Sequence, residues 1–131
     1  MFQTASQEQP DLKAVDALIQ GALTAEERAS SVAYLDTQLR PAGRSSLGGH
    51  DVDSAAPFLM AFIDQKPGAN WMHPCRYLLI VPATGKITSN QSDRPPAFGP
   101  LPPSWKVAWR SRGVEDWRLL PISGPPSQQP K

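Results

Sequence analysis

The seven residues from Phe58 to Asp64, Phe-Leu-Met-Ala-Phe-Ile-Asp, constrain this chain more than any other stretch. Apolar side chains occupy both alternating faces. A strand with one wet face alternates apolar with polar residues, so this run predicts a central strand covered on both sides. A second apolar run, Tyr77 to Val81, comes after the turn signal Lys66-Pro67-Gly68. Arg76 to Pro82 and Lys86 to Asn90 flank Ala83-Thr84-Gly85, the pattern of a hairpin whose Gly85 supplies positive φ. Trp105, Val107 and Trp109 alternate with Lys106, Ala108 and Arg110, which predicts a half-exposed strand with the first three facing inward. A last strand is expected from Trp117 to Ile122, confined to a sheet edge by Pro121.

The N-terminal third reads differently. Leu12, Val15, Ile19 and Leu23 recur at helical spacing, so Asp11 to Gln20 is expected to be a helix that Gly21 ends in a left-handed conformation. Thr24-Ala25-Glu26-Glu27 matches a capping box, in which the threonine hydroxyl and the glutamate carboxylate each satisfy the other's backbone N–H. A second helix is expected to run from there to Leu39, where Pro41 stops it, before a Gly- and Ser-rich loop from Ala42 to Ser54. Helices succeeded by strands on short connections indicate an α+β fold. The expected architecture is two N-terminal helices on one face of a five-stranded, mainly antiparallel sheet. In element order alone this is similar to a cystatin-like or NTF2-like arrangement.

At 131 residues the chain has room for one core. The expected organisation is a flexible N-terminus over 1–9, one α+β domain over 10–122 and a disordered tail over 123–131. Fifteen prolines cluster, five of them between Pro95 and Pro103, which makes 94–103 an extended connection. No run approaches the roughly 20 apolar residues of a membrane span, and no leader pattern opens the chain. A soluble, cytoplasmic protein is the expectation. Charge is polarised: residues 1–65 carry four basic and nine acidic side chains, and the rest carry nine and three. Such halves either neutralise each other internally or leave a basic face for an anion.

Reactive side chains concentrate in Asn70-Trp71-Met72-His73-Pro74-Cys75-Arg76, which holds the lone cysteine. A thiol beside an imidazole can ionise and attack carbonyls, with Asp64 to orient His73 and Arg76 or Asn70 to hold an oxyanion. Against this stands the ordinary fate of a free cysteine, burial in the core. A metal could draw on His50, Asp51, Asp53, His73 and Cys75, but only half of a paired ligand motif is present, so neither metal nor other cofactor is expected. Trp105, Lys106, Trp109, Arg110, Arg112, Trp117 and Arg118 could stack on bases and attract phosphates, yet overall near-neutrality opposes nucleic acid. Pro100-x-x-Pro103 could dock in an aromatic groove, or the segment could lie across the sheet with Phe98 and Leu101 tucked in.

The function expected first is a non-catalytic binding or accessory module. Its contacts would be Asn70, Trp71, His73, Arg76 and Phe98, on loop 70–76 and segment 94–103, with a protein as the leading partner and an anionic small ligand as the second. The alternatives are a cysteine-dependent hydrolase or transferase using Cys75, His73 and Asp64, and a single-stranded nucleic-acid binder. The sequence sets no oligomeric state.

Overall fold

A computed structural model describes residues 10–69 and 72–124. The expected flexible N-terminus 1–9, Asn70, Trp71 and most of the expected tail lie outside the described residues. Two helices, α1 (Leu12–Ala22) and α2 (Ala25–Ser30), precede the strands β1 (Val32–Arg40), β2 (Gly43–Leu47), β3 (His50–Ser54), β4 (Phe58–Asp64), β5 (Cys75–Val81), β6 (Lys86–Ser92) and β7 (Trp105–Arg110). Five of them form an antiparallel sheet in the order β6-β5-β4-β1-β7, and β2 pairs with β3 in a separate two-stranded sheet. The fold is therefore α+β. Among the described residues no helix is long and apolar enough to cross a membrane.

β4 is buried along its whole length. Its two faces feed two separate clusters. Leu59, Ala61 and Ile63 join Ala33, Leu35, Leu78 and Ile80 beneath Val15, Ile19 and Leu23 of α1. Phe58, Met60 and Phe62 join Val32, Tyr34, Tyr77 and Leu79 on the opposite side, where Leu47, Leu101, Trp105 and Val114 close over them. Phe62 is the middle of an aromatic row, with ring centroids 6.0 Å from Tyr34 and 5.2 Å from Tyr77. Such tilted pairs add to what area burial alone contributes.

Four expectations are corrected by the fold. First, the second helix stops at Ser30 instead of reaching Leu39. The Ser31 amide bonds the Ser111 hydroxyl at 2.7 Å and the Ser111 amide bonds the Ser31 carbonyl at 2.9 Å, which turns the chain into the sheet. Val32 to Asp36 are all buried, on both faces. A helix in this place would bury one stripe; a strand between β4 and β7 buries every residue. Second, the loop expected from Ala42 to Ser54 is the β2–β3 hairpin. Third, Trp117 to Ile122 is not a strand. A 3-10 turn spans Asp116–Arg118, and only Ile122 forms a bridge, to Leu101. Fourth, the helix-ending role of Gly21 fails: it lies inside α1, which ends at Leu23 in an extended conformation.

The layer facing away from α1 is made of the hairpin, the proline-rich segment and the chain after Leu119. Two buried tyrosines fasten it. Tyr77 donates its hydroxyl to the Arg94 carbonyl at 2.6 Å, and Tyr34 accepts from the Leu120 amide at 2.8 Å. Burial pushes the Tyr34 hydroxyl up to about 12, so it stays protonated. The two outer segments are laced together by Leu101 N–H to the Pro121 carbonyl and Ser123 N–H to the Leu101 carbonyl, both 2.8 Å. Leu101 is tucked in as expected, but Phe98 is 88% exposed.

The hairpin tip sits on Tyr77 through Gly48 and on Arg94 through Gly49, with φ of 60° and 88°. A Cβ on Gly48 would meet the Tyr77 ring at 2.4 Å. Gly48→Ala is therefore expected to cost about 1–3 kcal/mol in a denaturant melt, from a clash with a ring that cannot move and from left-handed backbone. Gly99→Ala, which meets nothing within 4 Å, should change stability by less than about 0.5 kcal/mol.

Candidate functional site

The cluster expected to act together is split across the sheet. Asp64 and Cys75 are opposite each other in the β4–β5 ladder and share the face away from α1. Arg76, one residue on, points to the helix side. Of the described residues in this loop, Met72 is half exposed.

Asp64 and His73 do meet, as expected: His73 Nε2 lies 2.7 Å from Asp64 Oδ1, and both side chains are buried. Burial raises the Asp64 carboxyl, and the His73 imidazole partly offsets this. The contact uses the histidine's Nε2. Cys75 does not complete a nucleophilic set. It is 1% exposed, and its thiol lies 3.4 Å from the Arg94 carbonyl. Burial, with the Asp64 and Asp93 carboxylates acting the same way, raises it to about 11. A nucleophilic cysteine needs a lowered pKa and access, and this one has neither. The nucleophilic alternative for Cys75 thus finds no support, and the residue is a small core side chain. Native Cys75 should resist iodoacetamide at pH 7.5 and react within minutes once unfolded; labelling at equal rates in both states would contradict this assignment.

Arg76 is also spoken for. Its guanidinium donates through Nε and Nη2 to the Glu27 carboxylate at 2.9 and 2.7 Å, and Nη2 also reaches the Ala22 carbonyl at 2.8 Å. The expected capping box is present, so the same carboxylate accepts from the Thr24 amide, and Gln65 Nε2 adds a bond at 2.7 Å. Burial alone would raise the Glu27 carboxyl. The Arg76, Thr24 and Gln65 donors outweigh it and hold the group at about 2. The Ser111 hydroxyl bonds the Glu27 and Arg28 carbonyls from the other side. Arg76, expected as a ligand contact, is therefore the clasp that fixes α2. With Lys106–Asp16 at 2.9 Å, it also joins the acidic and basic halves of the sequence internally.

The tryptophan constellation is dispersed by a β-bulge. Tyr34 pairs with Val107 and Ala33 with Trp109, so Ala108 is an extra residue on β7. One inserted residue shifts the later part of the strand to the other face. Trp105 packs in the cluster away from α1, and Trp109 packs in the cluster under it. The expectation that Trp105, Val107 and Trp109 share one inner face is overturned for that reason. Trp117 is 67% exposed, with the Arg118 guanidinium 5.1 Å from its ring centroid. Lys106 is committed to Asp16, and Arg110 to the Val114 carbonyl and Asp116.

A second irregularity builds a cleft. On β1 the step from Asp36 to Arg40 spans four residues, while its β4 partners Met60 and Phe58 are two apart. The surplus residues are held by one local and one long-range bond: the Gln38 amide donates to Asp36 Oδ1 at 3.1 Å, and the Thr37 hydroxyl donates to the Ser104 carbonyl at 2.6 Å. Asp36 is 2% exposed and its carboxylate pairs with Arg40 Nη2 at 2.8 Å. Asp36, Gln38 and Arg40 line a cavity of about 420 Å³, together with Arg94 and the ring of Trp105. Arg94 is exposed and its guanidinium lies against Gly49. Sequence reasoning singled out segment 94–103 but missed Asp36 and Arg40. The signal was present: an aspartate interrupting the apolar run Val32–Leu35 needs a partner if buried, and Arg40 was the nearest cation.

Phe98, expected as a ligand contact, is exposed on the outer segment. His50, considered for a metal, lies with Nε2 3.0 Å from the Gln91 carbonyl, and among the described residues no three His, Cys, Asp or Glu converge as metal ligands. No family model, curated protein or solved structure matches the chain.

The Glu27 carboxyl has a folded value below its unfolded one of 4.5, so its stabilisation is complete above about pH 4.5 and is lost as pH falls toward 2. Wild-type stability should therefore drop across that window, and Glu27→Gln should lack that part of the drop while being less stable at pH 7. Arg76→Ala, which strands a buried carboxylate, should cost about 3–5 kcal/mol in the same melts.

Proposed function

We propose that this chain is a non-catalytic binding module that holds an anionic small ligand in the cleft between the β1 irregularity, the hairpin tip and the proline-rich segment. The observation that carries this reading is the two-residue surplus in β1. It aims Asp36, Gln38 and Arg40 into a cavity that Arg94 also lines. Bulges recur beside functional sites because they redirect side chains that a regular ladder would place elsewhere. The cavity volume of about 420 Å³ lies within the roughly 300–1,000 Å³ typical of small-molecule sites, which favours a small ligand over the protein partner expected first.

Electrostatics support the same choice. Among the described residues Arg94 has no carboxylate partner, while Arg76, Lys106 and Arg110 are each neutralised. The high, buried thiol argues against the hydrolase alternative. The dispersal of the tryptophans over two faces argues against a continuous stacking platform for nucleic acid.

Isothermal titration of the full chain against a panel of small carboxylates and phosphates tests the proposal. At least one should bind, more weakly as salt rises. A hydrogen bond to a charged group contributes about 1.5–3 kcal/mol, so Arg94→Gln should weaken binding by about tenfold or more. No binding by any anion, or unchanged affinity in Arg94→Gln, would refute it.

A further inference from the structure

Resting on that reading, we infer that the cleft selects a monocarboxylate with a flat apolar body and discriminates against dianions such as phosphate monoesters.

The charges that line the cavity are Arg40, Arg94 and Asp36. Asp36 is buried and bound to Arg40 Nη2, so one cation is already half used and the lining carries a single unit of positive charge in excess. One negative charge on a ligand completes the balance. A second would face the Asp36 carboxylate with nothing left to compensate it, and like charges in a partly desolvated site repel strongly. Arg40 retains one further feature. Its Nε is buried and has no hydrogen-bond partner among the described residues. A buried donor without an acceptor is costly, which marks this pair as less settled than the Glu27–Arg76 pair. A guanidinium fork accepts carboxylate and phosphate alike, so the discrimination rests on the charge count.

The remaining lining specifies the body. Tyr77 contributes only its ring, because its hydroxyl is committed to the Arg94 carbonyl. Met60 on β4 and Trp105 on β7 line the cavity farther along the sheet, and Pro95, Pro96 and Pro102 line it from the outer segment. Flat, rigid, apolar groups suit an aromatic or cyclic ligand body and lose little side-chain entropy on contact. Gln38, Ser46 and Ser104 add neutral polar groups, which orient a ligand without changing the charge count.

Four matched probes decide the matter: phenylacetate, phenyl phosphate, phenylacetamide and acetate, titrated calorimetrically into the full chain at pH 8. Phenylacetate should bind at least tenfold more tightly than each of the others. Arg40→Lys, which keeps the charge and removes the fork, should weaken phenylacetate at least fivefold, and Arg94→Gln should weaken it about tenfold or more without touching the Asp36–Arg40 pair. Asp36→Asn should narrow the preference for phenylacetate over phenyl phosphate at least fivefold. Thermal melts establish that each variant is folded, and Arg94→Gln, at an exposed side chain, carries the test if either buried-pair variant is not. Phenyl phosphate binding as well as or better than phenylacetate overturns the inference while leaving an anion site in place. Equal binding of acetate overturns the claim for an apolar body alone. Equal binding of phenylacetamide, or no binding by any probe, overturns the inference and the anion-binding reading together.

Discussion

Burial of β4 on both faces is the constraint that the rest of the molecule answers. A strand with no wet side needs two coverings, and the chain makes them from unlike materials. One is a regular amphipathic helix whose Val15, Ile19 and Leu23 fit one cluster. The other is a patchwork of hairpin, proline-rich segment and terminal extended chain over the opposite cluster. Within this patchwork only the hairpin has a ladder of its own, and the core supplies bonds to the other two segments through the Tyr34 and Tyr77 hydroxyls. Irregular covering also leaves irregular space, and the Arg40–Arg94 cleft lies within that layer.

Charged groups in this molecule do two different jobs. The Glu27–Arg76 pair is bidentate, well partnered on every side and turned inward. It joins a six-residue helix to the sheet, and so short a helix has little stability of its own. The Asp36–Arg40 pair is less completely satisfied. It sits where the β1 ladder skips, keeps a buried donor without a partner among the described residues, and borders open space. Satisfied networks fix a fold; an unsatisfied one beside a cavity is where a ligand has something to offer.

How far the sequence disclosed this depends on which features are local. β4 was legible to the residue, because seven consecutive side chains all had to be buried. The α2 capping box was legible because its partners are three positions apart. β1 was misread because Ala25, Ala29, Val32 and Leu39 fall by chance at helical spacing, while the bond that ends the helix comes from Ser111, eighty residues away. The two bulges were invisible for a related reason: an extra residue exists only relative to a partner strand. Within the candidate set, Asp64–His73 contact was legible from strand ends, whereas the opposed facing of Cys75 and Arg76 made one cluster into a core residue and a clasp. Asn70 and Trp71 lie outside the described residues.

The two phenolic tethers have a consequence for how the molecule opens. The five sheet strands are locked to one another by cross-strand ladders, but the outer layer is attached to them by single bonds and apolar contact. Its free energy of lifting is therefore separable from that of global unfolding, and amides of the outer layer and of the central strands should belong to different cooperative units in hydrogen exchange. A molecule lodged beneath that layer would touch both units at once, and its binding energy would weld them into one.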